Sequence, residues 1–156
     1  MLYLGIDPGQ TGAIAAINSS LEVIFLEDYP GDEIGISVLL KKIQKHHKNL
    51  VPYAALEKVH AMPKQGVSST FKFGTNYGMW RGALAAYAIP FFNPTPQAWQ
   101  KGVISRAQDK KPALAAARRL FPSAELTGPR GGAKDGRADA LLIADWCRRQ
   151  FLSKGV

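Results

Sequence analysis

The sequence is short of cysteine, of acidic residues and of long apolar runs, and each shortage excludes a class of protein. Its only cysteine, Cys147, excludes an intramolecular disulfide and a metal site built from several thiolates, and it favours a reducing compartment. No apolar stretch approaches the roughly 20 residues that a membrane helix needs. The N-terminus has neither the basic start nor the small-residue cleavage site of a signal peptide. We therefore expect a cytoplasmic protein that does not bind a membrane.

The charge balance indicates the kind of partner. Twelve Asp and Glu residues stand against 20 Lys and Arg residues, which gives a formal net charge of +8. An excess of this size favours a polyanionic partner, and nucleic acid is the leading candidate. The chain has 156 residues, of which 46% are hydrophobic and 21% charged. This composition is typical of a globular protein, and the length predicts one domain over residues 1–156.

The order of predicted elements indicates an α/β fold. Short apolar runs at 2–6, 12–17 and 21–26, separated by turn residues, predict an antiparallel meander. An amphipathic helix over 32–49, a strand over 51–59, a helix over 68–87 and a strand over 89–92 follow. Two more helices are predicted, one starting at Pro112 and one over about 135–151. This order predicts a five-stranded mixed sheet flanked by helices, which is the arrangement of the RNase H-like fold.

Four acidic residues fall where such a sheet would bring them together. Asp7 ends the first strand, Glu57 lies near the end of the fourth, and Asp135 and Asp139 are one turn apart in the last helix. If the first and fourth strands are neighbours, these carboxylates would repel one another unless cations neutralised them. Mg²⁺ or Mn²⁺ suits such oxygen ligands. Two ions about 4 Å apart could activate a water and stabilise the leaving oxygen in phosphodiester cleavage.

Each acid also has an ordinary structural interpretation. Asp7 could begin an Asp-Pro-Gly turn, Glu57 could be a surface charge and Asp135 could cap a helix. Asp139 fits such an account least, because it interrupts the apolar run 138–144, where an unpartnered acid is costly to bury. Asp145, on another side of the same helix, is predicted to be a solvated surface charge.

Three motifs together resemble the RuvC family of Holliday junction resolvases: Gly5-Ile6-Asp7-Pro8-Gly9, Leu56-Glu57-Lys58-Val59 and Arg137-Ala138-Asp139-Ala140-Leu141. Two parts of the chain look especially like the phage and chloroplast branches. One is the segment from Glu57 through Met62-Pro63-Lys64-Gln65-Gly66 to Tyr77-Gly78-Met79-Trp80, and the other is Gly136-Arg137-Ala138. The chain departs from the bacterial pattern at two points. Bacterial members place the last two metal-site residues three apart, whereas Asp135 is four before Asp139. His60 stands where they carry a phenylalanine that acts at the junction centre.

The resemblance implies a homodimeric endonuclease that uses divalent metal to resolve four-way DNA junctions by symmetric paired nicks. It implies Asp7, Glu57 and Asp139 as catalytic metal ligands, with Asp135 as a substitute for the fourth, and no small-molecule cofactor. The phage and chloroplast branches would place the protein in the host cytoplasm or, after processing, in an organelle.

Basic and polar residues flank the predicted metal site, mostly in loops and at helix starts. There they could neutralise DNA phosphates, although any one of them could equally be a solvated surface charge. Lys110 or Lys111 resembles a lysine at the start of the corresponding helix in the RuvC family. The predicted DNA-binding residues are Lys58, His60, Lys64, Gln65, Lys72, Lys110, Lys111, Arg130, Lys134 and Arg137.

The long predicted helix carries Gly74, Gly78 and Gly82 at intervals of four residues. Each glycine costs a helix about 1 kcal/mol relative to alanine, so some contact must offset the cost. We predict that this smooth strip is a dimer interface. Close packing of the helix on its own sheet is the alternative.

Two other functions stay open from the sequence. Residues 7–12 also resemble the first phosphate loop of actin and sugar-kinase ATPases, but those enzymes close two domains around a nucleotide and no second phosphate loop is evident. The other alternative is a module that binds branched DNA without cutting it, which is favoured if the acids cannot hold metal.

Overall fold

The backbone forms a central sheet with helices on both faces, as a computed structural model shows for residues 1–60, 66–105 and 109–153. The strands are β1 (Leu2–Asp7), β2 (Ala13–Ile17), β3 (Val23–Asp28), β4 (Pro52–Leu56) and β5 (Phe91–Phe92). The helices are α1 (Glu33–His46), α2 (Val67–Ala86), α3 (Pro96–Gln100), α4 (Pro112–Leu120) and α5 (Asp135–Leu152).

The sheet is mixed, with the strand order β3-β2-β1-β4-β5. β1, β2 and β3 form the antiparallel meander expected from their short turns. β4 pairs in parallel with β1, with Ile6 opposite Leu56, and β5 pairs in parallel with β4. This confirms the predicted five-stranded mixed sheet and makes β1 and β4 neighbours at the centre.

Two hydrophobic cores lie on opposite faces of the sheet. One core joins α4 and α5 to the sheet and includes Trp99 of α3, while the other packs α1 and α2 against the opposite face. β1 and β2 are covered on both faces, which explains why their sequences read as continuous apolar runs. Side chains alternate along a strand, so Ile6 and Leu56 enter the α1–α2 core and their successors Asp7 and Glu57 face α5.

Two glycines let α5 approach the sheet closely. A β-carbon on Gly5 of β1 would overlap the α5 backbone at Ala140 and Ala144. A β-carbon on Gly136, in the first turn of α5, would overlap the backbone of Thr11 and Gly12 in the β1–β2 turn. Because only hydrogen fits at both contacts, the N-terminal half of α5 lies directly over the end of β1.

Several local expectations need correction. The predicted strand 51–59 ends at Leu56, and the strand 89–92 is reduced to two residues because prolines flank it. The short helix α3 was not predicted, although Thr95 caps it by accepting from the Ala98 N–H at 3.2 Å. Asp145 is not a solvated charge. It is 3% exposed and pairs with Arg148 at 2.8 Å and Arg149 at 3.0 Å, which neutralises it within the helix.

Candidate active site

Asp7 is held at the end of β1 by the turn that follows it. Its Oδ1 accepts a hydrogen bond from the Gly9 N–H at 2.9 Å, and the Gly12 N–H donates to the Gly9 carbonyl at 2.9 Å. Asp7 therefore stabilises the Asp-Pro-Gly turn and also lies at the candidate site. Its role in the turn does not exclude the predicted role as a metal ligand. Burial raises the pKa of Asp7, and the hydrogen bond from Gly9 partly offsets the rise.

Glu57 lies beside Asp7 on the neighbouring strand. Its N–H donates to the Ile6 carbonyl at 3.1 Å, which extends the parallel ladder one residue past β4. Neighbouring strands are about 4.8 Å apart, so the two acids start from adjacent positions on the same face of the sheet. The indole Nε1 of Trp99 donates to Glu57 Oε1 at 2.9 Å. The pKa of Glu57 is raised to about 7, because burial and the charge of Asp7 raise it by more than the Trp99 hydrogen bond lowers it.

Asp139 reaches the same place from α5. Burial and, to a smaller extent, the negative charges of Asp7, Glu57 and Asp135 together raise its pKa to about 7. It also lines a cavity of about 310 Å³, together with Gln100, Lys111 and Asp135. The charges of the other three predicted acids, from β1, the end of β4 and α5, therefore all act on Asp139.

Asp135 differs from the other three acids because it is solvent-exposed and already paired. Lys111, just before α4, donates to Asp135 Oδ2 at 2.7 Å. Asp7, Glu57 and Asp139 form no ion pair with any Lys or Arg in the described part of the chain. Among the described residues, therefore, no cationic side chain compensates their mutual repulsion.

The donor set suits a hard divalent cation, because it consists of carboxylate oxygens in a partly buried pocket. In the arrangement seen, however, no group of three His, Cys, Asp or Glu side chains among the described residues is close enough to hold an ion. The acids are electrostatically coupled without forming a finished coordination sphere. Metal binding at these residues stays a prediction.

The predicted DNA-binding residues fall into two groups, those that form ion pairs with acidic residues of the protein and those that do not. Lys111 is paired with Asp135, and Lys134 and Arg137 both bind Asp28, at 2.8 Å and 2.7 Å. Lys64 and Gln65 lie outside the described residues. The remaining side chains are exposed and form no ion pair with a described acid: Lys58, His60, Lys72, Lys110 and Arg130.

Asp28 and Trp99 are the two site residues that sequence reasoning missed. Asp28 ends β3 as Asp7 ends β1, but the apolar run in the sequence stops at residue 26, two residues before it. It anchors the start of α5 beside a cavity of about 830 Å³ that Arg130, Lys134 and Asp135 help to line. Trp99 carried no signal, because its contact with Glu57 joins residues 42 positions apart.

The three glycines of α2 face away from the sheet. Gly74, Gly78 and Gly82 are exposed, and a β-carbon on any of them would meet nothing within 4 Å. Packing on their own sheet therefore does not explain them. Val67, 88% exposed, and Phe71, 76% exposed, continue the same side of the helix toward its N-terminus.

These features define an RNase H-like fold of the RuvC type, with acids at the ends of the two central strands and on the helix that crosses them. The solved structures that share the fold include two of RuvC from Thermus thermophilus. One is a complex with a Holliday junction substrate, with a TM-score of 0.64 and 18% identity over 99% of this chain and 96% of that chain. The other has a TM-score of 0.65 with the same identity and coverage.

At 18% identity the likeness establishes the fold, and the phage or chloroplast branch stays a prediction. No protein-family model and no curated protein sequence matches the chain. Within the described residues, no helix has the length and apolar character to cross a membrane.

Proposed function

We propose that the protein is a metal-dependent endonuclease, a single domain over residues 1–156, that resolves four-way DNA junctions by symmetric paired nicks. The observation that carries the proposal is the electrostatic coupling of Asp7, Glu57 and Asp139 on one face of a RuvC-type sheet. The T. thermophilus RuvC of the same fold binds a Holliday junction substrate. This supports branched DNA as the substrate here.

The chain supplies the ligands and their orientation. The two ions of each site would be held by Asp7, Glu57 and Asp139. Asp135 would become a further ligand once its ion pair with Lys111 breaks. Bound Mg²⁺ or Mn²⁺ would lower the pKa of a coordinated water and stabilise the leaving oxygen. Because only ionised carboxylates bind such ions well, occupancy should pull the raised pKa values of Glu57 and Asp139 downward. The hydrogen bonds from Gly9 and Trp99 hold the carboxylates of Asp7 and Glu57 in place.

The exposed cations around the site would hold the DNA backbone. Lys58 and His60 directly follow Glu57, and Arg130 lies on the loop before α5. Lys110 precedes α4, and Lys72 lies on the first half of α2. Phosphate contacts of this kind supply affinity that is independent of base sequence and sensitive to salt.

A homodimer formed through α2 would supply the second nick. Two symmetry-related cuts need two sites, and a two-fold dimer matches the two-fold symmetry of a four-way junction. The exposed strip of Gly74, Gly78 and Gly82 lets a second backbone approach closely, and Val67 and Phe71 add apolar surface beside it. Burial of this face would offset the helix-propensity cost of the glycines.

A binding module that does not cut DNA is the second candidate. It is favoured by one observation, the absence of a ready three-ligand metal group among the described residues. It would keep the basic surface and the α2 interface but give the acids no catalytic role.

A labelled four-way junction with Mg²⁺ separates the candidates. The proposed enzyme makes paired nicks, and a binding module leaves bound DNA intact. Asp7→Asn and Asp139→Asn should keep junction binding and lower nicking by several orders of magnitude. The matched control is Glu33→Gln, an exposed acid in the first turn of α1, on the opposite face of the sheet.

Asp135→Asn tests the fourth ligand. A mild effect would mean that α5 contributes only Asp139. Near-normal nicking by the Asp7→Asn protein would overturn the proposed active site.

A further inference from the structure

Trp99 lies in the core beneath the candidate active site, with its one polar atom directed at a catalytic candidate. The residue is 1% exposed, and its ring belongs to the core formed with α4 and α5. A buried indole N–H needs a hydrogen-bond partner, because leaving it unpaired costs free energy. The partner here is Glu57 Oε1, at 2.9 Å.

The short helix that carries Trp99 is fixed to the end of β4, where Glu57 lies. The Asn93 side chain donates to the Leu56 carbonyl at 3.1 Å. The Lys58 N–H donates to the Pro94 carbonyl at 2.8 Å. These bonds attach the chain before α3 on both sides of Glu57. The position of the indole relative to the carboxylate is therefore set by hydrogen bonds between the two segments.

The contact divides the two oxygens of Glu57. Oε1 is occupied by a neutral donor, and no other protein donor to Glu57 is found among the described residues. A neutral donor orients a carboxylate without cancelling its charge, whereas a Lys or Arg partner would compete with a cation.

We propose that Trp99 is a positioning residue that holds Glu57 Oε1 and leaves Oε2 to bind a divalent cation. The inference rests on the proposed metal-binding role of Glu57. The contrary view is that Trp99 serves only to fill the core and that its N–H has found the nearest acceptor. The two views differ in what happens when the N–H is removed and the ring shape is kept.

The test compares wild type with two changes at position 99. Trp99→Phe removes the N–H and some ring volume, and incorporation of β-(3-benzothienyl)alanine replaces the N–H with sulfur in a ring of nearly the same shape. Trp146→Phe is the matched control, because Trp146 packs edge-on against Phe92 and has no contact with Glu57. Mn²⁺ affinity is measured by calorimetry on the 156-residue chain without DNA, alongside circular dichroism.

We expect both changes at position 99 to weaken Mn²⁺ binding by about 10- to 100-fold, as loss of a partner to a metal ligand commonly does. Junction affinity should be unchanged. The Mg²⁺ concentration for half-maximal nicking should rise, with most of the rate restored at saturating Mg²⁺. The Trp146→Phe protein should match wild type.

An unchanged Mn²⁺ affinity for the benzothienyl protein would overturn the proposal, even if Trp99→Phe fails to fold. If wild type nicks junctions and binds Mn²⁺ but the benzothienyl protein behaves identically, only the role of Trp99 fails. If wild type neither binds Mn²⁺ nor nicks, the proposed function fails as well.

Discussion

Removing one charge from the acid cluster should stabilise the metal-free protein. In Glu57→Gln the amide oxygen can still accept from the Trp99 N–H, so the change mainly removes the negative charge. The pKa of Glu57 rises from 4.5 to about 7 on folding. At about 1.36 kcal/mol per pKa unit, the folded state pays at most about 3 kcal/mol to ionise this group. For a chain of this length, at about 2–4 °C per kcal/mol, that corresponds to a rise in Tm of about 6–12 °C.

The effect has a definite pH dependence. Below about pH 4.5 the carboxyl is protonated in both folded and unfolded chains and costs nothing. Between pH 4.5 and 7 the unfolded chain releases the proton while the folded protein keeps it, so wild type loses stability as pH rises. Above about pH 7 the carboxyl is ionised in both states, and the stability of wild type falls no further from this group. The Glu57→Gln protein should therefore exceed wild type in stability at pH 8 and match it near pH 4.5.

Thermal unfolding in EDTA at pH 4.5 and at pH 8 measures the difference, with Glu33→Gln as the control that should change little at either pH. Mg²⁺ should then raise the Tm of wild type more than that of the variant, because a bound ion stabilises only the folded state. The reasoning is refuted if Glu57→Gln is no more stable than wild type at pH 8, or if its advantage is equally large at pH 4.5.

Two further predictions concern the DNA and dimer surfaces. The log of the junction-binding constant should fall linearly with the log of the salt concentration. Arg130→Ala or Lys72→Ala should each reduce the steepness of this line by about one unit, and Lys45→Ala on α1 should leave it unchanged. A binding constant that does not depend on salt would contradict the electrostatic account. Sedimentation should give about twice the chain mass of 17.0 kDa, and Gly78→Leu should shift the protein toward monomer with its helical circular dichroism intact. Paired nicking by a wild-type protein that stays monomeric on the junction would refute the dimer.

Local patterns in the sequence were enough to predict most of the helices and strands and to locate the acids along the chain. Alternating and continuous apolar runs, short turns and a 20-residue helical pattern are local signals, and they predicted the meander, α2 and α5 correctly. Asp7 at a strand end and Asp139 inside an apolar run were recognisable as candidates because an acid buried without a partner costs free energy.

The packing of distant segments sets which of these groups meet and which charges are already paired. Asp7 and Glu57 are adjacent because β4 pairs in parallel with β1 across 50 residues, a register set by packing on both faces of the sheet. Asp28 forms ion pairs with Lys134 and Arg137. Asp145 is buried and paired with two arginines, although the sequence predicted a solvated charge. Trp99 reaches Glu57 through a helix with no periodic pattern long enough to predict. Such contacts depend on distances between segments far apart in the chain, which local propensity and periodicity do not encode.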